Sequence, residues 1–71
     1  MRKEITFADR IKEMRTDLGI SQYKMAELLG VSQPTIAKWE AGIIEPNLKT
    51  IKKICQILKV SSDYLIGLTD F

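Results

Sequence analysis

Only three residues, Gly30-Val31-Ser32, stand between two segments of helical periodicity, and this spacing restricts the fold more than any other feature. Three residues are too few for two helices to fold back and lie flat as antiparallel neighbours. They suit two helices crossing at a steep angle, joined by a short turn that contains glycine. Such a corner needs a small residue where the helices touch, and Ala26 supplies it. It needs a residue tolerant of positive φ in the turn, and Gly30 supplies that. It also needs apolar pegs on both sides, where Met25, Leu29, Val31, Ile36 and Trp39 stand. Each requirement alone is weak. Together, at fixed offsets, they define a helix-turn-helix corner at about residues 21–41.

The rest of the chain reads as three more helices. Thr6 is an N-cap, with Asp9 three residues on as an imperfect capping box. Phe7, Ile11, Met14 and Leu18 follow on one helical face, and Gly19 ends that helix. Ser21 caps the second helix, whose apolar side is Met25, Leu28 and Leu29, and Gly30 ends it. Ser32 caps the third, which runs to about Ala41 before Gly42. Pro34 falls in its first turn, where a missing N–H does no harm. The loop Ile43-Ile44-Glu45-Pro46 leads to Asn47, cap of a fourth helix with Leu48, Ile51, Ile54, Cys55 and Leu58 inside. Ser61 opens a short fifth helix with Asp63 near its positive end, and Gly67 closes it. No segment alternates with a convincing period of two. The expectation is an all-α fold of five helices in a single domain, residues 1–71.

Seventy-one residues leave room for one domain and no large enclosed substrate cavity. The chain has no histidine, which removes the commonest general base, the usual triads and most zinc sites. No nucleophile–base pair supports an enzyme, and no metal, cofactor or small-molecule substrate is expected. Cys55, the single cysteine, cannot close an internal disulfide and reads as a core residue rather than a redox sensor. Eleven Lys and Arg against nine Asp and Glu give a net charge of +2, too little for non-specific coating of nucleic acid. Binding to a polyanion must come from the placement of charge. No apolar stretch approaches the roughly 18 residues of a membrane span, and the start has no secretory h-region. The expected protein is soluble and cytoplasmic.

The stretch from Leu18 to Gly42, LGISQYKMAELLGVSQPTIAKWEAG, closely resembles the lambda-repressor-like (Cro/repressor-type, XRE-family) helix-turn-helix transcriptional regulators. Pro46-Asn-Leu and the later Leu58-Lys-Val-Ser-Ser-Asp-Tyr-Leu-Ile-Gly67 look like the fourth and fifth helices of the same family. The resemblance covers about residues 5–68. It implies a five-helix DNA-binding domain, usually a homodimer on a palindromic operator. It implies that Gln22 contacts a phosphate and braces Gln33, and that Arg15 and Glu40 form a salt bridge between helices one and three. Related domains often continue into a second module after a segment like Gly67-Leu-Thr-Asp70.

The third helix can be placed on a wheel independently. At about 100° per residue, Ile36 and Trp39 centre the core face. Pro34, Ala37, Lys38 and Ala41 centre the opposite face, with Gln33 at its edge. Small residues, a glutamine and a lysine suit a helix seated in a major groove, where base edges need bidentate amides or a cation. Gln33 is the candidate for adenine N6/N7, Lys38 for guanine O6/N7, and Pro34 or Ala37 for a thymine methyl. Thr35 lies towards the flank, for a phosphate or an oblique base contact. Gln22 opens the second helix, where free N–H groups favour an anion. Tyr23, Asn47 and Lys49 are further phosphate candidates, with a solvated surface residue as the alternative for each and a plain cap for Asn47. Glu40 sits on the flank of the core face, so its pair with Arg15 should fix helix angle rather than add much stability.

One departure from the family matters. Many members carry lysines or arginines between helices three and four, whereas this chain has Ile43-Ile44-Glu45, which implies a shallower salt dependence. One of the two isoleucines is expected to pack against helix three or four; the alternative is a protein contact. Trp39 reads as an anchor of the third helix rather than a stacking platform, and Lys52-Lys53 as a solvated face. One recognition helix reads only a few base pairs, so specificity calls for two protomers with their helices about 34 Å apart. Tyr64, Leu65, Leu68 and Phe71 crowd the C-terminal end and, with Ile57 or Val60, are the expected dimer interface. The leading reading is a sequence-specific double-stranded DNA-binding transcriptional regulator, a repressor acting by steric block. The rival is a protein-interaction module, such as an antitoxin holding a partner enzyme, which a protein-bound Ile43-Ile44 loop or Phe71 tail would favour. An RNA-binding module would need interleaved aromatics, which are lacking.

Overall fold

The structure is a computed structural model that describes residues 5–69. These form α1 (Phe7–Asp17), α2 (Gln22–Leu29), α3 (Gln33–Glu40), α4 (Leu48–Leu58) and α5 (Ser62–Leu65). Among the described residues there is no strand, so the fold is the all-α, five-helix arrangement expected. None of these helices is long and apolar enough to cross a membrane.

Every helix starts at a side chain that satisfies a free backbone N–H: Thr6, Ser21, Ser32, Asn47 and Ser61. The box at Thr6 is complete. The Asp9 N–H donates to Thr6 Oγ1 at 3.2 Å, and the Thr6 N–H donates back to Asp9 Oδ2 at 3.1 Å. The shorter acid therefore closes a capping box that more often uses Glu or Gln.

The apolar faces meet in one core. Phe7, Ile11 and Met14 come from α1, Met25, Ala26 and Leu29 from α2, Ile36 and Trp39 from α3, Ile54 from α4 and Leu65 from α5. The corner between α2 and α3 uses the residues its geometry demands. Gly30 adopts φ +69°, and the Val31 N–H donates to the Ala26 carbonyl at 3.0 Å, closing the end of α2. Trp39 meets Phe7 edge to face, with ring centroids 5.7 Å apart, so α3 is anchored to the start of α1. Cys55 is half-buried against the core, and burial pushes its thiol pKa up.

Several apolar residues lie elsewhere than periodicity predicts. Leu18 is the C-cap of α1, beyond its last turn, and is 55% exposed. Leu28 is also exposed and lines a surface groove of about 420 Å³ with Leu18 and Ile57. Leu48 is 81% exposed because it opens α4 one turn before Ile51, the first residue of that helix packed on the core. Ile43 and Ile44 are both exposed, so neither packs as expected. Leu65 is 0% exposed. It is the single buried residue of the four-residue α5 and cannot belong to a dimer interface.

Candidate nucleic-acid interface

The face of α3 opposite Ile36 and Trp39 presents Pro34, Lys38 and Ala41 to solvent, with Gln33, Thr35 and Ala37 half-buried around them. The side chains standing proud of this face are short, apart from Gln33 and Lys38. The Thr35 hydroxyl shares a 2.8 Å hydrogen bond with Ser32 Oγ, which engages it in the cap of its own helix. Tyr23 stands exposed in the first turn of α2, and Lys49 is exposed in the first turn of α4. Asn47 Oδ1 accepts from the Thr50 N–H at 2.9 Å, so Asn47 is a cap.

Behind this face runs one polar network linking α1, α2 and α3. Arg15 Nε donates to Glu40 Oε2 at 2.6 Å and Arg15 Nη2 to Glu40 Oε1 at 3.1 Å. Arg15 Nη1 donates to the Ile20 carbonyl at 2.8 Å. Glu40 Oε1 also accepts from Gln22 Nε2 at 3.2 Å, and Gln22 Oε1 accepts from Gln33 Nε2 at 2.8 Å. The ion pair and the glutamine pair are both present. The Gln22–Glu40 bond that joins them had no signal in the sequence.

The ion pair is well shielded, with the Glu40 side chain 5% exposed and that of Arg15 18%. Burial alone would push the Glu40 carboxyl up. The hydrogen bonds from Arg15 and Gln22, with the charges of Arg15 and Lys12, outweigh it and hold the group below its ordinary value. The bond to Glu40 in turn raises Arg15 against a smaller opposing effect of burial.

The expected dimer residues are not all available. Ile57 and Leu68 are exposed, Val60 and Tyr64 are half-buried against the core, and Leu65 is wholly inside. Phe71 lies outside the described residues. Among the described residues no group of acidic or cysteine side chains could hold a metal ion.

The family model HTH_3, helix-turn-helix, matches residues 11–65, a span that includes Arg15, Gln22, Gln33 and Glu40. The chain belongs to this helix-turn-helix family. Among its relatives is the SPbeta prophage-derived uncharacterized HTH-type transcriptional regulator YonR of Bacillus subtilis (strain 168). It is 45% identical over 60 residues, covering 84% of this helix-turn-helix chain and 56% of the relative. Repressor protein C2 of Salmonella phage P22 is 34% identical over 58 residues, 82% of this chain and 27% of that protein. The crystal structure of the P22 c2 repressor in complex with synthetic operator 9T shares the fold with a TM-score of 0.79 at 32% identity. That match covers 87% of this chain and 94% of the other. This helix-turn-helix chain thus spans about half the length of YonR and about a quarter of that of C2.

Proposed function

We propose that this chain is a sequence-specific reader of double-stranded DNA that regulates transcription, and that it represses by occupying a palindromic operator as a homodimer. The observation that carries the reading is the placement of Gln33. It sits at the edge of the exposed face of α3, braced by Gln22 from the neighbouring helix. A braced amide keeps its donor and acceptor in register with a base edge, where a free side chain would lose rotamer entropy on binding. Pro34, Ala37 and Ala41 are small enough to let the helix approach base edges, and Pro34 or Ala37 meets a thymine methyl. Gln33 reads adenine and Lys38 guanine, while Thr35 supports from the flank. Gln22, Tyr23, Asn47 and Lys49 surround this face as phosphate contacts; for Asn47 the amide nitrogen remains for that purpose while its oxygen caps α4.

One such helix reads too few base pairs to select an operator, so two copies are required. Ile57 and Leu68 are the exposed residues of the expected interface that a second copy would cover, with Val60 and Tyr64 at their border. Selection of binding sites from random duplex DNA at about 150 mM salt tests the reading. The expected result is a two-fold symmetric motif with half-sites about 10 bp apart, blurred at separate positions by Gln33→Ala and Lys38→Ala. A selection that enriches no motif would reject it in favour of a protein-binding module using the exposed Ile43-Ile44 loop.

A further inference from the structure

The polar network behind α3 has a direction. An ionised carboxylate can only accept hydrogen bonds, whereas a glutamine amide donates at one end and accepts at the other. Glu40 takes two bonds from Arg15, and Gln22 must therefore turn its nitrogen towards Glu40, as it does at 3.2 Å. That leaves the Gln22 oxygen facing Gln33, which must answer with its own nitrogen, as it does at 2.8 Å. Each amide orientation is dictated by the one before it, starting from a group that cannot donate. Gln33 arrives at the surface with one N–H committed, leaving one N–H and its carbonyl oxygen for a ligand.

We propose that Glu40, which lies behind the reading face, sets the polarity of Gln33 and thereby selects adenine over guanine at the base pair Gln33 meets. The inference rests on the reading of Gln33 as a base contact. One donor and one acceptor complement adenine, which offers the N7 acceptor and the N6 donor in the major groove. Guanine offers two acceptors there, N7 and O6, and would need both N–H groups of Gln33. With the network reversed, the Gln33 oxygen would accept from Gln22, and both N–H groups would be free for guanine. The Glu40 charge makes that reversal costly, because it would point the Gln22 oxygen at the carboxylate. Glu40 is thus a positioning residue, and its two hydrogen bonds from Arg15, one to each oxygen, hold it in place.

The test is the same selection from random duplexes, run with the full chain and with Gln33→Ala, Glu40→Gln and Gln22→Leu. The unaltered protein should enrich adenine over guanine at one position of each half-site by ~5- to 150-fold, the range of a good bidentate contact. Gln33→Ala should flatten that position. Glu40→Gln puts an amide that can donate or accept where the carboxylate stood. Gln22→Leu cuts the link and leaves the Arg15–Glu40 pair intact, so it serves even if Glu40→Gln fails to fold. Each should bring the adenine-to-guanine ratio to within about twofold. Glu40→Gln should leave the other half-site positions enriched, whereas Gln22→Leu, which also loses a phosphate contact, should weaken binding to all sequences alike without altering their preferences. Flattening by Gln33→Ala alone, with the ratio kept in Glu40→Gln or in folded Gln22→Leu, overturns the role of Glu40 and leaves Gln33 as the reader. A position untouched by Gln33→Ala overturns both.

Discussion

The guanidinium of Arg10 lies over the ring of Tyr64, 4.2 Å from its centroid, while Arg10 Nε donates to the Tyr64 carbonyl at 3.0 Å. Arg10 Nη2 donates to the Thr69 carbonyl at 2.8 Å, and the Tyr64 hydroxyl donates to Glu13 at 3.3 Å. One buried cation therefore ties α1 to α5 and to the segment that follows it. Arg10→Met removes the guanidinium from both carbonyls, of which that of Tyr64 keeps the Gly67 N–H as a donor at 3.1 Å, and should cost about 2–3 kcal/mol. In a domain of this size that lowers Tm by roughly 10–20 °C. Arg10→Lys should recover less than half, since an ammonium lacks the planar fork that reaches two carbonyls and stacks on a ring. Thermal unfolding followed by circular dichroism decides; an unchanged Tm for Arg10→Met would remove the clamp from the account of stability.

The Arg15–Glu40 pair predicts a pH dependence with a definite sign. The folded protein holds the Glu40 carboxyl below its ordinary value of 4.5. The unfolded chain takes up the proton first, so this stabilisation is complete above about pH 4.5 and is lost as pH falls through the lower folded value. Glu40→Ala should cost about 3 kcal/mol at pH 7, because Arg15 keeps a largely buried charge without its partner. The difference from the unaltered protein should shrink below about pH 4.5. Arg15→Met combined with Glu40→Leu should recover most of the loss, as expected of a pair that sets a helix angle more than it stabilises. Urea unfolding at pH 7 and pH 3 separates these outcomes, and a gap that stays constant with pH would refute the assignment.

Local chemistry was legible in the sequence, and distant contacts were not. The caps at Thr6, Ser21, Ser32, Asn47 and Ser61 follow from bonds that close within three residues. The pegs Met25, Leu29, Ile36 and Trp39 follow from a corner too tight for alternatives. Periodicity names the apolar face of a helix but not where its neighbours stop, which is why it puts Leu18, Leu28 and Leu48 inside although all three are exposed. Leu65 is buried because α5 is drawn onto α1, held there by a contact spanning 54 residues of sequence. In the candidate site, the Arg15–Glu40 and Gln22–Gln33 pairs came from family resemblance. The bond between Gln22 and Glu40 exists only because α2 and α3 cross, so no spacing rule announces it.

Two glycines with similar backbone angles should respond differently to alanine. Gly30 has φ +69°, and a Cβ there would meet the Lys53 ammonium at 2.7 Å, the movable end of a long side chain. Gly67 has φ +85°, and its Cβ would fall 2.1 Å from the Ile5 carbonyl oxygen. Gly30→Ala should therefore cost about 1–2 kcal/mol, the penalty of the left-handed conformation. Gly67→Ala should cost clearly more, since backbone has to move as well. Equal destabilisation in urea titrations would mean that the approach of Ile5 to Gly67 contributes nothing.

Charge at the edge of the proposed DNA interface should set how binding responds to salt. Gln22, Tyr23 and Asn47 are neutral, so as phosphate contacts they donate hydrogen bonds without releasing counterions. Lys49 is the charged member of that set, while the neighbouring Ile43-Ile44-Glu45 loop is exposed and carries no cation. Each neutralised phosphate contributes about 0.9 to the slope of log K against log salt. Lys49→Ala should make that slope shallower by about 0.9 for each protomer and weaken all sequences alike. Glu45→Lys should steepen it by a similar amount and tighten binding without altering the preferred motif. Gln33→Ala should leave the slope alone and change the motif. Fluorescence anisotropy over a salt series on a selected site and a scrambled one measures all three. A slope unmoved by Lys49→Ala would strike that residue from the phosphate contacts, and with it the only charged contact that α4 brings to the proposed interface.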